Sequence, residues 1–131
     1  MNKEQEVIYN KLVYKYNFYE LQKDEIKLGI EKKLDISWYA NPEFNKDQMV
    51  QIRLGLEEKL DVSIYAKTEF NCWQMEEIRK GLENKINVNY YAYSEFNFLQ
   101  MEQIRIGLEQ GLDISIYSDT KYDWTQMQEI R

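Results

Sequence analysis

Carboxylates and tyrosines are the side chains with which this 131-residue chain could do chemistry, since it has 23 Asp and Glu, 11 Tyr, no His and one Cys, Cys72. Without histidine it cannot form a Ser-His-Asp triad, a Cys-His pair or a His-ligated zinc site. A single cysteine forms neither an internal disulfide nor a cysteine-only metal site. Adjacent carboxylates such as Glu76 and Glu77 do not face each other on a helix. We therefore expect no catalytic, cofactor-binding or metal-binding residues, and predict that the chain is not an enzyme.

Phosphate, nucleic-acid and membrane binding are disfavoured by the composition as well. The five glycines match neither the GxxxxGK nor the GxGxxG pattern of phosphate-binding loops. A net charge of -6 argues against direct binding of nucleic acid, which requires clustered Lys and Arg. No apolar run approaches the roughly 20 residues of a membrane span, and the charged N-terminus lacks the apolar segment of a signal peptide. We predict a cytoplasmic protein with a protein partner.

A ten-residue motif recurs at a spacing of 26 residues. It is QMVQIRLGLE at Gln48–Glu57, QMEEIRKGLE at Gln74–Glu83 and QMEQIRIGLE at Gln100–Glu109. An earlier copy at 22–31 keeps its Gln, Ile, Gly and Glu, and a partial copy begins at Gln126. A strict period is the signature of a stacked repeat array. We therefore divide the chain into an N-terminal capping helix (1–21), four repeats (22–47, 48–73, 74–99, 100–125) and a truncated fifth repeat (126–131).

The first half of each repeat has the pattern of an amphipathic helix. Asn71, followed three residues later by Gln74, is a capping-box pattern, and Met75, Ile78 and Leu82 then lie on one helical face. The pattern predicts a helix of about 12 to 14 residues in each repeat. A glycine inside each helix costs about 0.5–1 kcal/mol relative to alanine, so we expect a neighbouring helix or the following segment to approach it closely. These glycines are Gly29, Gly55, Gly81 and Gly107.

The second half of each repeat, for example Asp61–Ala66, has two interpretations. Asp61 at an N-cap and the spacing from Val62 to Tyr65 favour a short helix. A Val-Ser-Ile-Tyr strand would instead give a β/α solenoid, since leucine-rich repeats run about 20–29 residues. We predict an all-α solenoid of four helix-turn-helix units with an N-terminal helical cap, and keep the β/α solenoid as the alternative. We expect the recurring tyrosines to join adjacent repeats: Tyr39, Tyr65, Tyr91 and Tyr117.

The consensus QMxxIRxGLExxLDVSxYA, which covers residues 22–131, resembles a repeat found in poorly characterised proteins of gut Firmicutes. Those proteins are often linked to phages and conjugative elements. The resemblance implies a bacterial or mobile-element origin and a role in binding rather than chemistry. It identifies no catalytic residue.

Two sets of residues are candidates for binding a partner. Glu57, Glu83 and Glu109 form one column, and an arginine precedes each by four residues. They are either a solvated ladder of ion pairs or an acidic surface that imitates nucleic-acid phosphates. The second set consists of large apolar residues at columns that vary between repeats: Trp38, Trp73, Tyr90, Phe98 and Trp124. They either form a patch for a partner or pack beneath the preceding turn as a hydrophobic staple.

These observations lead to two hypotheses for function. The first is a non-enzymatic protein-protein interaction module, built as a rigid repeat array and encoded by a phage or mobile element. The alternative is an acidic inhibitor of a nucleic-acid-binding defence protein, of the anti-restriction or anti-CRISPR type. Head-to-tail self-association through residues 126–131 is a further expectation.

Overall fold

In the computed structural model, which describes all of residues 1–131, every regular element is helical. Single 3₁₀ turns at Ile36–Trp38, Val62–Ile64, Val88–Tyr90 and Ile114–Ile116 follow four of the α-helices. The all-α class and the short helix are confirmed, and the β/α alternative is wrong. The six α-helices are α1 (Lys3–Lys15), α2 (Glu20–Glu31), α3 (Lys46–Glu57), α4 (Cys72–Glu83), α5 (Phe98–Glu109) and α6 (Trp124–Ile130).

The chain divides into two compact units, Met1–Thr68 and Glu69–Arg131. The first contains α1 to α3, and the second contains α4 to α6. The division placed between residues 21 and 22 falls inside α2, which already begins at Glu20.

Capping boxes fix where the helices begin. At α3, the Asn45 side chain accepts from the backbone N–H of Gln48 at 2.8 Å, and the Asn45 N–H donates to the Gln48 side chain at 2.9 Å. The same exchange opens α1, α4, α5 and α6, with Asp123 in place of Asn at α6. In α2 the N–H of Tyr19 donates to the side chain of Gln22. Because each box satisfies two otherwise unpaired backbone donors, the predicted helix starts are confirmed.

A left-handed residue ends the repeated helices. After α3 the N–H of Leu60 donates to the Gly55 carbonyl at 2.9 Å, the bond that closes a Schellman motif. The chain then reverses and places the 3₁₀ turn against the helix that it has just left. The residues with positive φ are Lys33, Lys59 and Lys85, at 58–59°, and Gly111, at 71°.

The close approach predicted at the helical glycines is made by the tyrosine of the same repeat. The Tyr91 hydroxyl donates to the Glu77 carbonyl at 2.7 Å. A Cβ placed on Gly81 would lie 2.1 Å from that hydroxyl oxygen and 2.6 Å from Val88 Cγ1. The hydroxyl therefore bonds within its own repeat. Burial raises the pKa of Tyr91 far above its usual value, so the hydroxyl keeps its proton.

Successive repeated helices run parallel within each unit. In the first unit, the Lys46 N–H at the start of α3 donates to the Tyr19 hydroxyl at the start of α2. The C-terminal ends of α2 and α3 also meet, because the ammonium group of Lys32, just after α2, pairs with Glu57, the last residue of α3. In the second unit, the Asn84 amide just after α4 donates at 2.7 Å to the carboxylate of Glu109, the last residue of α5. Helix starts therefore lie along one edge of each unit.

Helix α1 packs in the opposite direction. The Gln5 side chain near its start donates to the Ile30 carbonyl near the end of α2 at 3.1 Å. No residue of α1 is buried, so its apolar side is only half covered. An open groove of about 530 Å³ remains between α1 and the 3₁₀ turn Ile36–Trp38.

Candidate functional site

Large apolar side chains gather at the helix starts of the second unit. Trp73 is the second residue of α4, Phe98 and Leu99 open α5, and Trp124 opens α6. The Trp73 and Phe98 ring centroids lie 5.9 Å apart with the planes tilted by 31°, a distance within the range of attractive aromatic pairs. Trp73 is 57% exposed and Trp124 37% exposed. These four residues are termed the aromatic edge.

The position of these residues explains their exposure. The Cα–Cβ bonds of a helix tilt toward its N-terminus, so side chains of the first turn extend beyond the helix start. Trp73 is therefore not the buried staple that one interpretation of the sequence suggested. The corresponding positions of α3 are Lys46 and Asp47, which makes the aromatic edge a property of the second unit.

The acidic column forms ion pairs. Glu57, Glu83 and Glu109 are the last residues of their helices. The Arg53 Nη1 to Glu57 Oε2 distance is 2.9 Å, and the Arg105 Nη1 to Glu109 Oε1 distance is 2.8 Å. Arg79 pairs with Glu83 in the same way. The ladder of ion pairs expected from the sequence is confirmed.

Arg53 and Arg105 each also make a second, more buried pair that the sequence reasoning missed. Arg53 Nε donates to Glu25 Oε2 at 2.6 Å, and Arg105 Nε donates to Glu77 Oε2 at 2.7 Å. The Glu77 residue is 4% exposed. A signal was present in the sequence, because the column that contains Glu25 and Glu77 directly precedes the core isoleucine of each repeat.

The contacts between Arg105 and Glu109 keep both of these groups ionised. Burial lowers the pKa of the Arg105 guanidinium, but hydrogen bonds to Glu77 and Glu109 outweigh it and raise that pKa above its usual value. Burial raises the pKa of Glu109, but hydrogen bonds from Arg105 and Asn84 outweigh it and lower the pKa below its usual range. Each acidic group of this column therefore has a cation beside it, which reduces the field that it projects into solvent.

Two other candidates lie on 3₁₀ turns and not at helix starts. Trp38 is exposed and belongs to the first unit. Tyr90 is exposed in the second unit and lines a shallow groove of about 270 Å³ with Leu108 and Leu112. Tyr90 belongs to the 3₁₀ turn that follows α4, whereas Trp73 lies in the first turn of α4. The structure thus places Trp73, Phe98 and Trp124 at helix starts of the second unit, whereas Trp38 and Tyr90 lie on 3₁₀ turns.

No group of three or more His, Cys, Asp or Glu side chains lies close enough together to hold a metal ion. None of the helices combines the length and the apolar character that a membrane crossing requires.

Comparisons of the chain with protein-family models, with curated proteins and with solved structures found no match.

Proposed function

We propose that this chain is a non-enzymatic protein-recognition module, built as a rigid helical repeat array, that binds a protein partner through the aromatic edge. The observation that carries the proposal is the contact between the exposed Trp73 and the half-buried Phe98, at columns that the repeat pattern leaves variable. Tryptophan and other aromatic residues supply most of the energy at protein interfaces, where they act as central anchors. Exposed apolar side chains grouped in this way are typical of interaction surfaces.

The scaffold supports this role because it holds the edge in place before a partner arrives. Capping boxes fix the first turns of α4, α5 and α6, the turns on which the aromatic edge stands. Preorganised side chains lose less conformational entropy on binding, and this raises affinity.

The acidic-inhibitor hypothesis has less support. A phosphate mimic needs carboxylates that project their charge outward. Glu57, Glu83 and Glu109 instead each accept from an arginine four residues earlier, and their side chains are only 22–33% exposed.

The resemblance to phage-linked and conjugative-element proteins supports a bacterial setting, with the protein acting in the cytoplasm. The informative experiment is therefore a pull-down from bacterial lysate, with and without phage infection, using immobilised wild-type protein. Trp73→Ala and Trp124→Ala variants are compared in parallel. Trp38→Ala is the matched control, since Trp38 is also exposed but lies in the other unit.

We expect each edge variant to weaken capture of the specific partner roughly 30-fold, the effect of losing about 2 kcal/mol at a hot spot. The Trp38→Ala variant should bind like the wild type, and binding should change little with salt. The aromatic edge would be refuted if both edge variants captured the partner as well as the wild type does. Loss of capture on charge reversal of Glu57 and Glu83, with a steep salt dependence, would then favour the acidic surface.

A further inference from the structure

The groove between α1 and the 3₁₀ turn Ile36–Trp38 has the size of a small-molecule site. Its volume is about 530 Å³, and such sites in proteins occupy about 300–1,000 Å³. All of its lining residues fall between positions 8 and 40, so both walls lie within the first unit. We term this cavity the α1 groove. Its apolar lining consists of Ile8, Leu12 and Tyr16 from α1, and Leu34, Ile36 and Ala40 from the first repeat.

The apolar lining of the α1 groove is open to solvent. Ile36 is half-buried, whereas the residues at the same column of the other repeats, Val62, Val88 and Ile114, are 2–5% exposed. On the opposite wall, Ile8 is 48% exposed. Removal of apolar surface from water is favourable, so a ligand with an apolar body gains free energy by covering these side chains.

Two lysines of α1 add positive charge to the α1 groove. Lys11 and Lys15 line it, and residues four apart on a helix have Cβ atoms about 5–6 Å apart. The lysine ion pairs of the first unit belong instead to Lys23, Lys32 and Lys46. Lys11 and Lys15 therefore have no carboxylate partner, and both ammonium groups are available to an anionic group of a ligand.

The one carboxylate that lines the α1 groove already has hydrogen-bond partners. Asp35 accepts from the backbone N–H of Ser37 at 3.2 Å and from its hydroxyl, and thereby caps the 3₁₀ turn. On the other wall, the Lys15 ammonium lies 5.2 Å from the centroid of the Tyr16 ring, which keeps it beside the groove. The lining of the groove therefore keeps a net positive charge.

The charge has a direction along the groove. A smaller groove of about 350 Å³ continues from it toward the start of α1, and the two share Ile8, Leu34 and Ile36. This continuation is lined by one carboxylate, Glu4, and one ammonium group, Lys33, whose charges offset each other. An anionic group is therefore favoured near Lys11 and Lys15, and an apolar chain along the remainder.

We propose that the α1 groove binds an anionic amphiphile, a single alkyl chain with one carboxylate head group. The carboxylate accepts from the ammonium groups of Lys11 and Lys15. The alkyl chain lies against Ile8, Leu34 and Ile36. A free amphiphile fits better than an anionic membrane surface, because a net charge of -6 is repelled by such a surface. The site lies in the first unit and does not depend on the aromatic edge.

The test is isothermal titration calorimetry of the 131-residue protein with alkyl carboxylates from hexanoate to dodecanoate, each below its critical micelle concentration. Lys11→Gln combined with Lys15→Gln removes the charge that binds the head group. Lys3→Gln combined with Lys59→Gln is the matched control, since Lys3 and Lys59 are exposed in the same unit and lie outside the groove.

The apolar wall is tested separately with Ile8→Ser. Val7→Ser is its matched control, because Val7 is 53% exposed on the same helix and does not line the groove. Circular dichroism confirms that each variant is folded. Since all of the substituted side chains are exposed, we expect every variant to fold.

We expect affinity to rise by up to about fourfold for each added methylene until the groove is filled. Decanoate should bind the wild type and both controls alike. Its affinity should fall at least about fivefold in the double-lysine variant and at least about threefold in Ile8→Ser. Decyltrimethylammonium, a cation with the same alkyl chain, should bind at least about fivefold more weakly than decanoate.

Three results would overturn the proposal. The first is no heat of binding with dodecanoate at about 1 mM, a concentration that detects even weak complexes. The second is equal affinity for decanoate and decyltrimethylammonium, or an equal loss in the groove variants and their controls, which would indicate non-specific partitioning. The third is lysine-dependent binding to anionic vesicles without binding of the free carboxylates, which would identify a membrane surface as the ligand.

Discussion

Substitution of the helical glycine tests the central packing contact of the repeat. Gly81→Ala should destabilise the protein, although alanine is the better helix former by about 1 kcal/mol. The added Cβ would lie 2.1 Å from the Tyr91 hydroxyl oxygen and 2.6 Å from Val88 Cγ1. Neither neighbour can move freely, because the Tyr91 side chain is fully buried and its hydroxyl donates to the Glu77 carbonyl.

The magnitude follows from these terms. Displacement of the tyrosine costs about 1–3 kcal/mol for the overpacked core and about 1–3 kcal/mol for a buried hydroxyl and carbonyl left unpaired. After subtracting the gain in helix propensity, we expect a net loss of about 3 kcal/mol in the free energy of unfolding. Urea unfolding followed by circular dichroism at 222 nm measures it.

A double-mutant cycle identifies the cause. Tyr91→Phe alone should cost about 1–2 kcal/mol, since the hydrogen bond is lost. In that background Gly81→Ala should cost clearly less, because the nearest clashing atom is gone, although Val88 still limits the rescue. Tyr14→Phe is the control for loss of a hydroxyl, because Tyr14 is 94% exposed. A neutral or stabilising Gly81→Ala, or an equal cost in both backgrounds, would refute the reasoning.

Two further predictions concern helix ends and pH. Lys59→Gly should raise the free energy of unfolding by about 0.5–1 kcal/mol. The reason is that Lys59 has a φ of 59°, a conformation that glycine adopts without a steric cost. Equal urea midpoints for the variant and the wild type would contradict this prediction. Burial raises the pKa of Tyr91 far above its usual value, so the folded state holds that proton more tightly than the unfolded chain. The contribution of Tyr91 to the free energy of unfolding is therefore complete below the unfolded pKa of about 10. It decreases above that pH, by up to about 1.4 kcal/mol per pH unit. Unfolding measured from pH 9 to pH 11 should show a shallower decline for Tyr91→Phe than for Tyr14→Phe, and parallel declines would contradict the assignment.

Local elements were predicted well from the sequence because local rules determine them. The Asn71 and Gln74 pair identified a helix start, and the period of Met75, Ile78 and Leu82 identified the helix. Both depend on residues three or four positions apart, whose geometry a helix fixes. At Asp61–Ala66 the sequence pattern leaves a strand as an alternative to a helix, because a single 3₁₀ turn is too short to show a period.

The partner of each side chain was harder to predict. The glycine column showed that something approaches the helix, but only the structure identified the tyrosine hydroxyl of the same repeat, ten residues later in the chain. The pair between Glu77 and Arg105 spans 28 residues, and it forms because adjacent helices run parallel in register. Such a contact requires the return path of the chain, which no local pattern specifies.

The sequence by itself determined the period, the helix starts, the i,i+4 ion pairs and the requirement for glycine, because each depends on backbone geometry over a few residues. Only the tertiary structure decided which side chains are covered. It exposed Trp73 and Ile130 and buried Glu77, although the sequence places Ile130 and Glu77 at columns of the same repeated motif. The physical reason is that burial depends on the neighbouring element, so a residue type that is a core contact under one helix is exposed where no helix lies above it.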